Sequence, residues 1–251
     1  MRALILAAGM GRRLGSGLPK ALTQVGSRTI LQRQIEAFTA QGVDEIAIVT
    51  GYERDLFRDF GLVTFHNPEY EHSNMLRSLS YAFEWMNQST LISYSDVVFS
   101  HSIIEQLQES QKPITISVDP HWWPRYVGRD QHPMTQAELV EVQDSGLVTS
   151  FGKRNLVARP EAFSEFIGVS KVNQTGANLL KNGYHELSRA AGRSTAQVNK
   201  WNNAYLTELF QHVVDTVGEV HASAVNGRWI EIDTPQDLEY AENTLTCDTL
   251  F

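Results

Sequence analysis

Short apolar runs alternate with amphipathic stretches through the first half of the chain. Ala3 to Leu6, Glu45 to Thr50, Val63 to Phe65, Thr90 to Tyr94 and Ile114 to Val118 have the length and the Ile/Val content of strands. Between them, Ile30 to Thr39, Met75 to Met86 and Ser102 to Glu109 place apolar residues at helical spacing, and Gly42 stands where a helix C-cap belongs. Strands separated by single helices predict an α/β protein: a Rossmann-like, mostly parallel sheet with helices on both faces.

The pattern changes near Pro120. Glu138 to Gln143 and Leu147 to Phe151 alternate over short spans and read as antiparallel hairpins. Residues 120–172 are therefore expected to form an inserted, antiparallel β-rich lid within one domain spanning residues 1–251. Helices over Gln174 to Ala191 and Asn203 to Val214 follow, then strands over Glu219 to Val225 and Arg228 to Ile232, joined by Asn226-Gly227, a tight-hairpin signal. Thr234 and Pro235 suit the N-cap and first position of a last helix.

A chain of 251 residues, 42% hydrophobic, can bury a full core. Its formal charge of -8, with no block of Lys or Arg, argues against a nucleic-acid surface. No apolar stretch is long enough to span a bilayer. A lone cysteine, Cys247, builds neither an intrachain disulfide nor a thiolate metal cluster and fits a reducing cytoplasm.

Positive charge is concentrated where the first strand ends: Gly9-Met10-Gly11-Arg12-Arg13-Leu14-Gly15, then Pro19-Lys20. Glycines let backbone approach a polyphosphate closely, and the cations match its charge. The loop is not a P-loop, because Lys20 follows a proline and no Ser or Thr comes next. It also departs from the dinucleotide fingerprint, since Leu14 occupies the third glycine position. Asp96 follows the run Leu91 to Ser95, at the edge where open α/β sheets place ligands, and Asp233 ends Trp229-Ile230-Glu231-Ile232. Two converging aspartates suit a nucleotide-bound Mg²⁺, whose remaining ligands are phosphate oxygens and water. A helix-capping role for Asp96, and a place beside the cap at Thr234 for Asp233, are the structural alternatives.

Leu6-Ala7-Ala8-Gly9-Met10-Gly11-Arg12-Arg13 through Pro19-Lys20 resembles the signature of the nucleotidyltransferases that make activated sugars and alcohols, L-A-A-G-x-G-x-R…P-K. The resemblance implies a loop wrapping triphosphate and base, with Arg12 or Arg13 and Lys20 on the phosphates. Asn67-Pro68-Glu69-Tyr70, Ser73-Asn74-Met75-Leu76-Arg77-Ser78-Leu79, Tyr205-Leu206-Thr207 and the Asp233 segment are similar to the phosphocholine and phosphonate cytidylyltransferases among them. That implies CTP as donor, a small phosphomonoester or phosphonate as acceptor, and Ser73, Asn74 and Ser78 near the cytosine edge or as a plain helix start.

His121-Trp122-Trp123-Pro124-Arg125-Tyr126-Val127-Gly128-Arg129-Asp130-Gln131-His132 is the most unusual segment. Arg125 and Arg129 present forks that match a phosphoryl group, and Trp122, Trp123 or Tyr126 offer faces for a choline-like or aminoethyl cation, with His132 alongside. Packing of the insertion, or a contact within a homodimer, accounts for the same residues. Lys153 stands where the family often has a lysine near the acceptor, and Lys171 is a second candidate of that kind. Two rivals remain: a sugar-1-phosphate nucleotidyltransferase using UTP or dTTP, expected to line its acceptor pocket with carboxylates and amides, and a non-catalytic nucleotide-sensing subunit.

Overall fold

Arg2–Ala7 forms β1, whose residues from Ala3 onward are all buried, as expected of an inner parallel strand covered on both faces. The computed structural model describes residues 1–152, 159–192, 201–225 and 228–245, so Lys153, the Asn226-Gly227 pair and Cys247 lie outside the described residues. After β1 come β2 (Gln24–Val25), β3 (Arg28–Thr29), α1 (Ile30–Thr39), β4 (Glu45–Thr50), β5 (Val63–His66), α2 (Met75–Ser80), β6 (Thr90–Tyr94) and β7 (Val97–Phe99). The chain continues through α3 (His101–Glu109), β8 (Ile114–Asp119), β9 (Leu139–Val142), β10 (Val148–Gly152), β11 (Ser164–Val172) and α4 (Gln174–Ala191). It then forms α5 (Leu206–Thr216), β12 (Val220–Ala224), β13 (Trp229–Glu231) and α6 (Pro235–Leu245).

Nine strands form the main sheet, with the order β10-β9-β11-β6-β1-β4-β5, and β8 and β12 branching from β11. β1 pairs in parallel with β4 and β6, and β5 extends the parallel run beyond β4. Beyond β6 the direction reverses: β11 is antiparallel to β6, β8 and β9. The expected mostly parallel α/β sheet is present, with an antiparallel wing on one side. β11, inside the 120–172 stretch, is a central strand of this sheet.

Two local expectations fail. The strands flanking Asn226-Gly227 do not pair with each other: β12 joins β8 in the main sheet, while β13 pairs antiparallel with β7 in a separate ribbon. The helix expected over Met75 to Met86 stops at Ser80, because the next turns bond to the third residue back, as in Ala82 N to Leu79 O (3.0 Å) and Trp85 N to Ala82 O (3.0 Å). Leu79, Ala82, Phe83 and Met86 are nonetheless buried, which is why their spacing looks helical.

Helix starts match the sequence signals. Thr29 Oγ1 accepts from Gln32 N (3.1 Å) while Gln32 Oε1 accepts from Thr29 N (2.8 Å), closing a capping box on α1. Thr234 Oγ1 accepts from Asp237 N (3.3 Å) at the start of α6, and Asp237 Oδ2 returns the bond to Thr234 N (3.0 Å). Lys171, 5% exposed, is not near an acceptor: its ammonium donates to the carbonyls of Gln108 (2.9 Å) and Ser110 (2.6 Å) at the C-terminus of α3, a favourable place for a cation.

Candidate active site

At the C-terminal end of β1 the chain turns into the glycine loop. Gly11 adopts φ +62°, and a Cβ there would lie 2.9 Å from the Leu18 carbonyl oxygen, so the loop closes on itself only with glycine at this point. The closure brings Lys20 back beside the end of β6, where Asp96 stands. Lys20 Nζ donates to Asp96 Oδ2 at 2.9 Å and forms a second, shorter ion pair with Asp233. Arg13 pairs with the other oxygen of Asp233 and reaches Gln136 Oε1 at 2.5 Å. Residues from both ends of the chain thus meet at one ammonium, and the two carboxylates are close enough to share an ion.

These groups line a cleft of about 260 Å³. Its floor and loop side carry Leu6, Gly9, Gly11, Arg13, Lys20, Asp96 and Asp233. A smaller cavity of about 60 Å³ shares Leu6, Gly9, Asn74 and Met75 with it and adds Ala8, Tyr70, Ser73 and Ser78. Asn67, fully buried, donates to the Ser73 (3.1 Å) and Ser78 (3.0 Å) hydroxyls and so fixes both. Leu6, Ala8, Gly9, Ser73, Asn74 and Ser78 therefore stand together as the sequence reading expects. Ala7 does not: it is 2% exposed and pairs with Thr50 of β4. Arg12 points away, its guanidinium 3.2 Å from Met10 Sδ.

The Trp/Arg segment is placed differently from the expected cation cage. Trp122 is fully buried, donates through Nε1 to Phe163 O (2.9 Å), and packs with Tyr126, Ala137 and Leu139 in a small core. Tyr126 is 5% exposed and Trp123 40%. Arg125 is paired with Asp119 at 3.3 Å and lies over Trp229, while Arg129 Nε donates to Asp237 Oδ1 at 2.8 Å and stacks on Tyr126. Both arginines line a separate cavity of about 250 Å³ behind Trp229, not the cleft holding Lys20. Aromatic burial and carboxylate pairing outweigh exposure of this segment, so it braces the cleft wall from outside. His132 alone of this group lines the cleft, 3.0 Å from the Arg129 guanidinium.

Much of the remaining cleft lining was not anticipated from sequence. Tyr94, Glu138, Glu165, Phe166, Ile167, Gly168, Tyr205, Trp229 and Glu231 complete the cleft. Four consecutive residues, Glu165 to Gly168, line it, whereas a regular strand would offer alternate ones. The β11–β8 register shifts between Phe166 and Ser170, and Gly168 has φ +78°, so a bulge turns this stretch toward the cleft. A Cβ at Gly168 would come within 2.7 Å of the Tyr94 ring. A glutamate inside the apolar run Phe163 to Val169 was the available signal.

Asp237 holds the Asp233 strand in place by accepting from the Asp233 amide at 3.1 Å. Burial raises its carboxyl, but hydrogen bonds from His132 and Arg129 and the charge of Arg129 outweigh that and bring it to about 2. For Glu165, which lines the cleft, the balance is opposite. Burial, and then the charge of Glu231, push Glu165 well above the usual carboxylate range despite the bond from Tyr126.

Two groupings fit a metal unequally. His132, Glu231 and Asp233 place ligand atoms within 4.8 Å of one another, but one donor is nitrogen and Arg129 already lies 3.8 Å from Glu231. Asp96 and Asp233 offer oxygen donors only, as Mg²⁺ prefers, and buried Asp96 Oδ1 has no hydrogen-bond partner among the described residues.

The chain is similar to known proteins in sequence and in fold. The chain is 28% identical over 95% of its length, and 98% of the relative's, to the CTP:phosphoglutamine cytidylyltransferase of Campylobacter jejuni. It is 26% identical to the 2-aminoethylphosphonate cytidylyltransferase of Lancefieldella rimae, covering 82% of this chain and 81% of that one. The solved CTP:phosphocholine cytidylyltransferase of Streptococcus pneumoniae superposes with a TM-score of 0.71 at 19% identity, over 97% of this chain and 98% of the other, a likeness of fold. A MobA-like NTP transferase domain is matched over residues 3–147, more than half of the chain, and the protein belongs to that family.

Proposed function

We propose that the protein transfers CMP from CTP to a small phosphomonoester or phosphonate and releases pyrophosphate, working in the cytoplasm. The observation that carries this reading is the meeting of Lys20, Arg13, Asp96 and Asp233 in one cleft continuous with the Ser73–Asn74–Ser78 cavity. The relatives named above act on phosphoglutamine, aminoethylphosphonate and phosphocholine, all with CTP or as cytidylyltransferases.

In this reading the small cavity takes the base, and the glycine loop gives its backbone to the triphosphate. An acceptor phosphoryl oxygen, already ionised near neutral pH, forms the new bond to the α-phosphorus; the bond from that phosphorus to the bridging oxygen breaks, and its electron pair leaves with pyrophosphate. No proton moves, so no general base is required. Lys20 and Arg13 hold the charge that grows on the departing phosphates, and Lys20 exchanges its aspartate partners for them. Asp96 and Asp233 would hold Mg²⁺, which when bound neutralises phosphate charge.

A second reading has one observation in its favour. Glu138, Glu165, Glu231 and Gln136 make the cleft rich in carboxylates and an amide, the lining expected for the hydroxyls of a sugar 1-phosphate. Pyrophosphate release measured for the four NTPs against phosphocholine, aminoethylphosphonate and a sugar 1-phosphate separates the readings. Turnover with CTP and the first two supports the proposal; UTP or dTTP with the sugar phosphate supports the rival, and no release with any pair leaves a binding protein. Asp96→Asn should abolish Mg²⁺-dependent release; unchanged metal dependence would remove Asp96 as a ligand.

A further inference from the structure

Glu165 is unusual among the acids of the cleft. It is 3% exposed, it faces the cleft from the β11 bulge, and its two oxygens are used unequally. Oε1 takes a short hydrogen bond from the Tyr126 hydroxyl, whereas Oε2 is buried and has no partner among the described residues. Tyr126 cannot shift to serve both: its ring is held edge-on by Trp122 at 5.5 Å and by His132 at 5.8 Å, with Arg129 4.6 Å above it. One oxygen is thus anchored while the other, on a residue that lines the cleft, is buried without a partner among the described residues.

A buried polar atom without a partner costs stability, and sites that bind ligands retain such atoms for the ligand. The surroundings indicate the sign of that ligand. Glu231 and Glu138 line the same wall, Tyr94 donates to Glu138 at 3.1 Å, and the nearest guanidinium, that of Arg129, is already engaged by Asp237. The cations that do line the cleft, Lys20 and Arg13, are already paired with Asp96 and Asp233, and Glu231 stands within 4.8 Å of the Asp233 carboxylate. An acceptor that binds Lys20 through its phosphoryl group and extends to Glu165 therefore meets neighbouring carboxylates and one unpartnered hydrogen-bond acceptor there.

We propose that Glu165 Oε2 receives a hydrogen bond from a primary ammonium on the acceptor, and that Glu165 selects such acceptors over trimethylated and uncharged ones. The proposal rests on the CMP-transfer reading above. A trimethylammonium has the charge but no N–H to donate, so an aromatic wall alone would suit it; the open oxygen at Glu165 does not. Burial and the Glu231 charge, which push this carboxyl up, are both offset when a cation arrives beside it.

The test compares 2-aminoethylphosphonate, its trimethylammonium counterpart and ethylphosphonate as acceptors, with CTP and Mg²⁺, reading pyrophosphate release. The wild-type chain should favour the amine by at least about tenfold in kcat/KM, the worth of one charged hydrogen bond. Glu165→Gln should lower kcat/KM for the amine by about tenfold or more, mostly through KM, and leave ethylphosphonate within about threefold, which also shows that the variant folds. Equal use of the three acceptors, or equal loss on all three in Glu165→Gln, overturns the assignment while leaving CMP transfer standing. Should Glu165→Gln lose all turnover, Tyr126→Phe, which frees the anchored oxygen, must change the ratio of amine to ethylphosphonate; an unchanged ratio overturns it too. If no acceptor is used at all by the wild-type chain, the CMP-transfer reading fails and takes this inference with it.

Discussion

The two walls of the cleft are built on opposite principles. The loop wall is cationic and nearly contiguous: Gly9, Gly11, Arg13 and Lys20 fall within one short stretch after β1. The acidic part of the lining is dispersed, drawing Glu138 from the approach to β9, Glu165 from β11 and Glu231 from β13. A polyphosphate can be gripped by neighbouring backbone and a few nearby charges, so its site is compact in sequence. Discrimination among small acceptors needs groups on several sides at once, which only distant strands can bring together. Buried carboxylates likewise follow their neighbours: Asp237, beside Arg129 and outside the cleft lining, is held low, and Glu165, among acids, is raised.

The largest expected effect tests what stands behind the acidic wall. Trp122→Ala should cost about 3–5 kcal/mol in urea denaturation, the range for removing a buried tryptophan, because Trp122 packs Tyr126 and has no access to the cleft. Unchanged stability with a raised acceptor KM would restore the cation-cage role. On the loop wall, Lys20→Ala should lower kcat by about a hundred- to a thousandfold, or about 2.7–4 kcal/mol, with its thermal unfolding still cooperative. A loss smaller than about tenfold would separate Lys20 from the transferred charge.

A smaller effect distinguishes the two buried carboxylates. Asp237 is lowered in the folded chain from an ordinary 3.8 to about 2, so its contribution is complete above the first value and disappears as pH falls through the second. Asp237→Asn should therefore cost on the order of 2 kcal/mol at neutral pH, and the gap from wild type should narrow below about pH 4. A gap independent of pH would mean that the loss comes from the helix start and not from the charge. Glu165 has the opposite sign: its carboxyl is raised, so Glu165→Gln should be relatively stabilising at neutral pH, and that gain should fade on acidification.

Legibility followed range along the chain. The strands β1, β4, β6 and β8, the starts of α1 and α6, and the glycine loop were all readable, since periodicity, caps and turn glycines act over a few residues. Lys20, Asp96 and Asp233 were each readable as groups of one nucleotide site, but the direct ion pairs of Lys20 with both aspartates were not, because they join segments far apart in the chain. Trp122, Tyr126, Arg125 and Arg129 were misplaced for a related reason. A tryptophan or arginine has the same chemistry in a cage or a brace, and only burial and the presence of Asp119 and Asp237 decide between them.

From residue order alone came the alternation that makes a parallel α/β sheet, the polyphosphate character of the first loop, and the family resemblance carried by its glycines, Arg13 and Lys20. The tertiary structure decided which strands pair across the reversal at β11, that its bulge turns Glu165 inward, and that one cleft gathers Lys20 and Arg13 with acids from distant strands. Those outcomes depend on through-space packing and electrostatics between residues far apart in the chain, quantities that no local window of sequence contains.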